Sequence, residues 1–272
     1  WAMYLERRNL ILQFLQSDLS LHLLEQYQKR VELLSKCYYY IEVLPTYMIL
    51  RDENLLVIPT SIFQVIDPWR FQRAKNLGRT QTELQLQLLT ELLEQLQGGR
   101  GELVGYVEAC DMVTFLSKWD TITQRVTDLS KMMNDFLSLQ VPRRLYTKHR
   151  LVSCADVRSN KIPDIQLFLS TKMPVMFDRK ESVAHKNWAY LKWFTENQES
   201  PLEQYELHFQ LLRHGTQTEL GHRGLVAGVS NTCVVQGLLP GQLYKFTIRR
   251  AETYTLVYEP WHDSITLKTK AE

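Results

Sequence analysis

The chain of 272 residues is 44% hydrophobic and 23% charged, with a net charge of +2. That supplies one large core or two of ordinary size, and it excludes a disordered chain. Basic and acidic residues balance in both halves, so no global positive field draws the chain to nucleic acid or to an anionic membrane.

In the opening segment, Leu10, Ile11, Leu12, Phe14 and Leu15 are apolar, but Gln13 and Gln16 interrupt them and no small-residue cleavage site follows. This reads as a helix, not a signal peptide, and a first residue of Trp points to further chain upstream. From Met3 to Tyr40 there is neither Pro nor Gly. Apolar residues recur at Leu5, Ile11, Leu12, Leu15, Leu19, Leu23, Leu24, Tyr27, Val31 and Leu34, which predicts one helix of roughly 35 residues, about 50 Å long. Pro45 lies beyond its end, and Tyr38–Val43 is open to an extended conformation. Asn54–Ile58 reads equally as a short strand or an apolar loop.

Asp67-Pro68 opens a further helix, with the carboxylate as cap and Pro at the first helical position; Gly78 is its expected end. Thr80–Gln97 is the clearest amphipathic helix. Its stripe is Leu84, Leu88, Leu92 and Leu96, with Leu89 and Leu93 beside it, and Gly98-Gly99-Arg100-Gly101 reads as its stop. No strand precedes that glycine cluster and no Gly-Lys-Ser/Thr follows, so it does not fit a phosphate-binding loop. From Asp111 to Leu139, Phe115, Leu116, Trp119, Ile122, Val126, Leu129, Met132, Met133 and Phe136 form a core face at helical spacing. Long helices with short joins predict an antiparallel helical bundle with long helices over 1–150.

Val141–Arg150 is the most basic stretch, with Arg143, Arg144, Lys148 and Arg150 and no acid. These are candidate contacts for an acidic partner surface, such as the acidic tails of tubulin or a phosphorylated protein, set against the blander role of a solvated connector. Residues 151–161 are read as a linker.

Beyond it the period changes from helical to alternating: Ile165, Leu167, Leu169; Ala189, Leu191, Trp193; Tyr205, Leu207, Phe209, Leu211; Tyr244, Phe246, Ile248; Ile265, Leu267. Turn signals separate the runs, and the pattern predicts an antiparallel β-sandwich over 162–272. Gly237-Leu238-Leu239-Pro240-Gly241-Gln242-Leu243-Tyr244-Lys245-Phe246-Thr247-Ile248 resembles the fibronectin type III family. The resemblance implies a fold in which Tyr244 is the corner tyrosine, Trp193 a core residue of the second strand, Tyr205–Leu211 the third strand and Ser264–Thr269 the last. Arg250 stands where the family has a small residue, which implies a bulge at the end of that strand. Four stretches in both halves (Tyr4–Leu10, Tyr40–Pro45, Ser170–Val175 and Thr255–Trp261) are similar to an intracellular family that joins a helical half to such a domain. The fold class is therefore α+β multidomain: an N-terminal antiparallel helical bundle followed by a fibronectin type III-like β-sandwich.

Little in the sequence carries chemistry. Cys37, Cys110, Cys154 and Cys233 are scattered without zinc spacing and read as reduced, packed thiols. The seven histidines form no zinc-protease pattern, and neither a nucleophile elbow nor a kinase motif occurs. No run of roughly 18 apolar residues predicts a membrane span. No catalytic residue, metal ligand or cofactor is assigned.

The expected role is a non-catalytic structural or adaptor protein docking in a large cytoskeletal assembly. The whole-chain resemblance implies an intracellular setting in ciliated and sperm-forming tissue, and hence the ciliary or flagellar axoneme. Its partners would be axonemal proteins or tubulin, with no nucleic acid, membrane or small-molecule substrate. Two alternatives stand beside it: a soluble adaptor that binds peptides by strand addition, and an enzyme with a cryptic site. Trp261, in the loop before the last strand, is the aromatic expected to be exposed for contact.

Overall fold

The computed structural model describes residues 1–51, 57–139, 144–145, 151, 165–196, 203–212, 223–251, 253–259 and 261–271. They fall into two compact units, each built from two stretches of chain: Trp1–Ser35 with Arg79–Arg144, and Lys36–Gly78 with Leu145–Glu272. The division expected at residue 150 follows chain order, whereas here residues 36–78 belong with the C-terminal half. The physical reason is a strand, β1 (Tyr38–Leu44), whose backbone pairs with strands of that half. Of the expected linker 151–161, only Leu151 lies within the described residues.

In the helical unit, the single long first helix is replaced by α1 (Ala2–Gln13), one π-helical turn over Phe14–Asp18, and α2 (Leu21–Lys36). Leu19 leaves helical geometry (φ −129°, ψ 58°), and the Ser20 hydroxyl accepts the Leu23 amide at 3.1 Å, a cap that starts α2. The two expected helices at Trp69–Leu77 and Thr80–Gln97 are one continuous α4 (Pro68–Ala109), which follows the short α3 (Ile62–Val65). Neither Gly78 nor the cluster at 98–101 stops it. Gly99 is needed for contact: a Cβ there would lie 2.4 Å from Leu129 Cδ2. Arg100 is held in the helix by the break it faces, its Nε donating to the Leu19 carbonyl at 2.9 Å and its Nη2 to that of Leu15 at 3.3 Å.

The expected stripe of Leu84, Leu88, Leu92 and Leu96 holds in part: Leu96 is buried, with Leu89 and Leu93 beside it, and Leu92 is half-buried, but Leu84 and Leu88 are not. Both are exposed, and the buried face is Leu89, Leu93, Leu96, Leu103 and Val107. Two faces of similar hydrophobicity compete here, and the one that meets the other helices wins. α5 (Met112–Ser117) is capped by Asp111, whose carboxylate accepts the Thr114 amide at 2.8 Å; α6 (Trp119–Leu139) follows. α4 and α6 run antiparallel, as Gln85 to Leu139, Gly99 to Leu129 and Glu102 to Arg125 show. Tyr27 of α2 stacks on Phe136 of α6 at 4.5 Å, and Tyr4 of α1 meets Phe115 edge-on at 5.4 Å. Ile122, Leu129 and Phe136 recur every second turn on the buried side of α6.

The other unit is an Fn3-like β-sandwich. One layer consists of β5 (Met176–Phe177), β7 (Trp188–Phe194) and β10 (Thr232–Gln236), with β6 (Val183–Ala184) also paired to β7. The other is β13–β11–β8–β9, with β8 (Tyr205–Leu212), β9 (Arg223–Gly228), β11 (Leu243–Arg250) and β13 (Asp263–Lys268). Inward residues from both layers, including Leu191, Trp193, Leu207, Tyr244, Phe246 and Ile248, form one core. The family turn is present: Gly237 and Gly241 take positive φ (76° and 67°), which glycine alone adopts without strain. The Tyr244 hydroxyl accepts the Leu239 amide at 2.9 Å. The expected bulge at Arg250 is absent, the register running unbroken from Leu243↔Leu212 to Arg250↔Tyr205.

β1 adds a third sheet. It lies between β4 (Gln166–Lys172) and β12 (Leu256–Tyr258), antiparallel to both, with Ile41 opposite Leu169. Tyr38 and Tyr40 enter the sandwich core, and Tyr39 meets Tyr258 at 5.8 Å. The first turns of α4 cover this sheet. A Cβ on Gly78 would touch Val257 at 3.4 Å and Ile41 at 3.6 Å, and Phe71 stacks on Tyr254 at 5.3 Å. A short hairpin, β2 (Tyr47–Arg51) and β3 (Val57–Ser61), completes the unit; within Asn54–Ile58, positions 54–56 lie outside the described residues.

Candidate functional site

The outer face of the four-stranded sheet carries an open groove. Strand alternation sends Tyr205, Leu207 and Phe209 inward and Glu206, His208 and Gln210 outward. Register then aligns the outward residues in rows across the sheet: Thr266–Lys245–Gln210–Arg223, Ser264–Thr247–His208–Leu225 and Arg249–Glu206–Ala227. The half-buried His208 and Gln210 floor an open groove of ≈ 440 Å³, walled by Arg223 and Leu225 on β9 and by Lys245 and Thr247 on β11. Gly224 also lines it and pairs with Phe209, and a Cβ there would come within 2.3 Å of the Phe209 ring.

Among the described residues, the strands of this face carry four cations, Arg223, Lys245, Arg249 and Lys268, and one carboxylate, Glu206. Glu206 is already engaged, 3.0 Å from Arg249 Nη2 and 3.3 Å from His208 Nε2. Among the described residues, neither Arg223 nor Lys245 has an acidic partner within 4.0 Å.

Other polar groups in this unit hold it together. Asp263 is buried, accepts the Phe177 amide at 2.7 Å and takes a two-pronged contact from Arg179 (2.8 and 3.1 Å), tying β5 to β13. Arg250, also buried, pairs with Glu203, donates to the Met173 carbonyl at 2.8 Å and lies 5.3 Å from the Tyr38 ring centre. Burial pushes its pKa down, and Tyr40 and Tyr38 oppose that shift. Tyr38 Oη stands 3.4 Å from His262 Nδ1. His262 Nε2 is 3.1 Å from Glu259 Oε1, though not aligned as a hydrogen bond. Burial favours the uncharged form of all three: it raises the Tyr38 pKa to about 12, raises that of Glu259 and lowers that of His262. Such a cluster closes a packed seam rather than presenting an accessible reacting group.

Of the candidate contacts read from the sequence, Arg143, Lys148 and Arg150 lie outside the described residues, while Arg144 is described and exposed. Trp261 is half-buried and not the exposed aromatic expected, because Lys36 Nζ sits over its ring at 4.9 Å. These residues are not brought together by what is described. Sequence reading misses the groove because its cations are far apart in the chain. The one available signal is the alternation of polar residues opposite the apolar ones on β8 and β11. Cys37 is buried, and Cys110 and Cys233 are half-buried; Cys154 is not described. Among the described residues no group of three or more His, Cys, Asp or Glu is placed to hold a metal ion, and no helix is long and apolar enough to cross a membrane.

Over residues 1–167 the chain matches the N-terminal domain of a family of unknown function, DUF5581, and over 172–272 it matches that family's Fn3-like domain. It is 53% identical over 270 residues to fibronectin type III domain-containing protein 11 of Bos taurus, covering 99% of this chain and 80% of that protein. It is 54% identical over 272 residues to the protein of that name from Homo sapiens, covering 100% and 85%. Among solved structures it is similar to the FN5 domain of Drosophila Lar (16% identity, 36% of this chain and 99% of that one, TM-score 0.27). It is also similar to the fibronectin type III domain of human fibronectin type III domain containing protein 3 (14%, 37% and 88%, TM-score 0.28). With both halves matched and close relatives spanning the chain, this protein belongs to the fibronectin type III domain-containing protein 11 family.

Proposed function

We propose that the chain is a non-catalytic adaptor or structural protein that binds other proteins, and that it works inside the cell within a large cytoskeletal assembly, the axoneme of a cilium or flagellum. The observation that carries the binding role is the open outer face of the four-stranded sheet, with its groove, its excess of cations and the exposed Leu225 and Leu243. A sandwich that buries one face of a sheet and leaves the other charged and accessible is suited to recognising a partner. The basic stretch holding Arg143, Arg144, Lys148 and Arg150 adds a second contact for an acidic protein surface such as the tails of tubulin. Contacts at two places would act together through effective concentration.

The test is detergent and salt extraction of ciliated cells that express the protein, followed by cross-linking mass spectrometry of the insoluble fraction. Retention with microtubules, and cross-links to axonemal proteins, is the expected result. Complete release by detergent removes the axonemal setting. A second reading, a soluble adaptor that binds peptides by strand addition, is favoured by the position of β9 at a sheet edge. It predicts detergent release together with cross-links that map to β9.

A further inference from the structure

We propose that the groove along β8 is a docking site for an acidic peptide in extended conformation. The proposal rests on the protein-binding reading above and names the partner's chemistry.

Arg223 and Lys245 stand on opposite walls in the same row, each paired across the sheet with Gln210. Adjacent strands are about 4.8 Å apart, so the backbones carrying Arg223 and Lys245 are roughly 10 Å apart on either side of Gln210, and both long side chains are able to lean toward a single carboxylate above it. The next row offers Thr247 and His208 for hydrogen bonding and Leu225, 54% exposed, as an apolar contact. At the third row the carboxylate of Glu206 is already compensated by Arg249, so its charge is not left bare to repel an acidic chain. The rows therefore present cation, donor with apolar wall, then cation paired to acid. An extended peptide places alternate side chains at this spacing, so an acidic residue over the first row brings its second neighbour over Leu225.

The charge is also local. The whole chain has a net charge of only +2, while the described residues of this one face include four cations and a single acid. A solvent-facing sheet with no partner is ordinarily mixed in sign, and concentrating cations around a groove favours an anionic occupant. The groove follows a strand and is walled by side chains of its two neighbours, which suits a single extended chain.

The experiment uses the full chain and a fluorescein-labelled hexaglutamate peptide, read by fluorescence anisotropy at low and at physiological salt. The expected result is saturable binding that weakens as salt rises, because screening shortens to about 8 Å at physiological ionic strength. Arg223→Glu with Lys245→Glu should weaken it roughly ten-fold or more. Lys131→Glu, a single charge reversal on the exposed side of α6, should leave it unchanged. Circular dichroism confirms that each variant is folded. Amide shifts on peptide titration should map to His208, Leu225 and Thr247. Equal binding by wild type and the double variant, an equal loss in Lys131→Glu, no binding by wild type, or tighter binding of a single-stranded hexathymidylate each overturns the proposal. If hexaglutamate binding fails while protein cross-links to the sandwich persist in cells, only this inference falls. If no cross-links form, the protein-binding reading falls with it.

Discussion

Tyr244 and Arg250 lie on one strand, point to the same side, and differ in how they are held. The Tyr244 hydroxyl accepts the amide of Leu239, only five residues back, so its role is written into the local motif. Tyr244→Phe leaves a half-buried amide without that acceptor, and urea denaturation should register a loss of about 1–3 kcal/mol. Arg250 is held by Glu203, Met173 and Tyr38, none of them a neighbour in sequence, so nothing local announces that a charged residue is buried there. Tyr38 provides a test in pH. Its folded pKa of about 12 exceeds the ordinary tyrosine value of 10.0, so above pH 10 the unfolded chain releases a proton that the folded chain keeps. The stability associated with Tyr38 is thus fully present below pH 10 and is lost as pH rises toward 12. Tyr38→Phe should show a shallower loss of stability over that window, as read by chemical denaturation at each pH.

At the scale of elements, α4 shows why glycine spacing misplaces helix boundaries. Glycine tends to stop an isolated helix because it lacks intrinsic helix stability, but contact with α6 overrides that at Gly99. Gly98 and Gly101 both lie within the helix, and a Cβ added at either would meet no atom within 4 Å. Gly98→Ala and Gly101→Ala should each stabilise the protein by about 0.5–1 kcal/mol. Gly99→Val forces a branched side chain against the buried Leu129 and should destabilise it by about 1–3 kcal/mol. Thermal and urea melts of the three variants separate the two roles. The break between α1 and α2 is legible in part: Ser20 is a good cap, but a continuous run of apolar spacing on both sides masks it.

For the whole molecule, the consequence of β1 is that the sandwich does not begin where its family resemblance begins. An excised 162–272 fragment lacks Tyr38 and Tyr40 from its core and leaves β4 without the neighbour that covers its edge. Each kcal/mol lost lowers the melting temperature of a domain this size by roughly 4–8 °C. The fragment should therefore melt at least about 10 °C below the sandwich transition of the intact chain, or aggregate. A peptide spanning residues 37–45, added in trans, should raise its melting temperature. An isolated fragment as stable as the intact chain would mean that β1 is dispensable.

The change of period from helical to alternating, the amphipathic α2 and α6, and the corner turn around Tyr244 were determined by the sequence itself. Each depends on residues within a few positions of one another, where spacing and turn chemistry act directly. The tertiary structure alone decided that Tyr38–Leu44 joins the sandwich, that α4 continues through its glycines, and that Arg223, Gln210 and Lys245 share a row. Those outcomes depend on strand pairing and helix contact between residues far apart in the chain, whose register a local pattern does not encode.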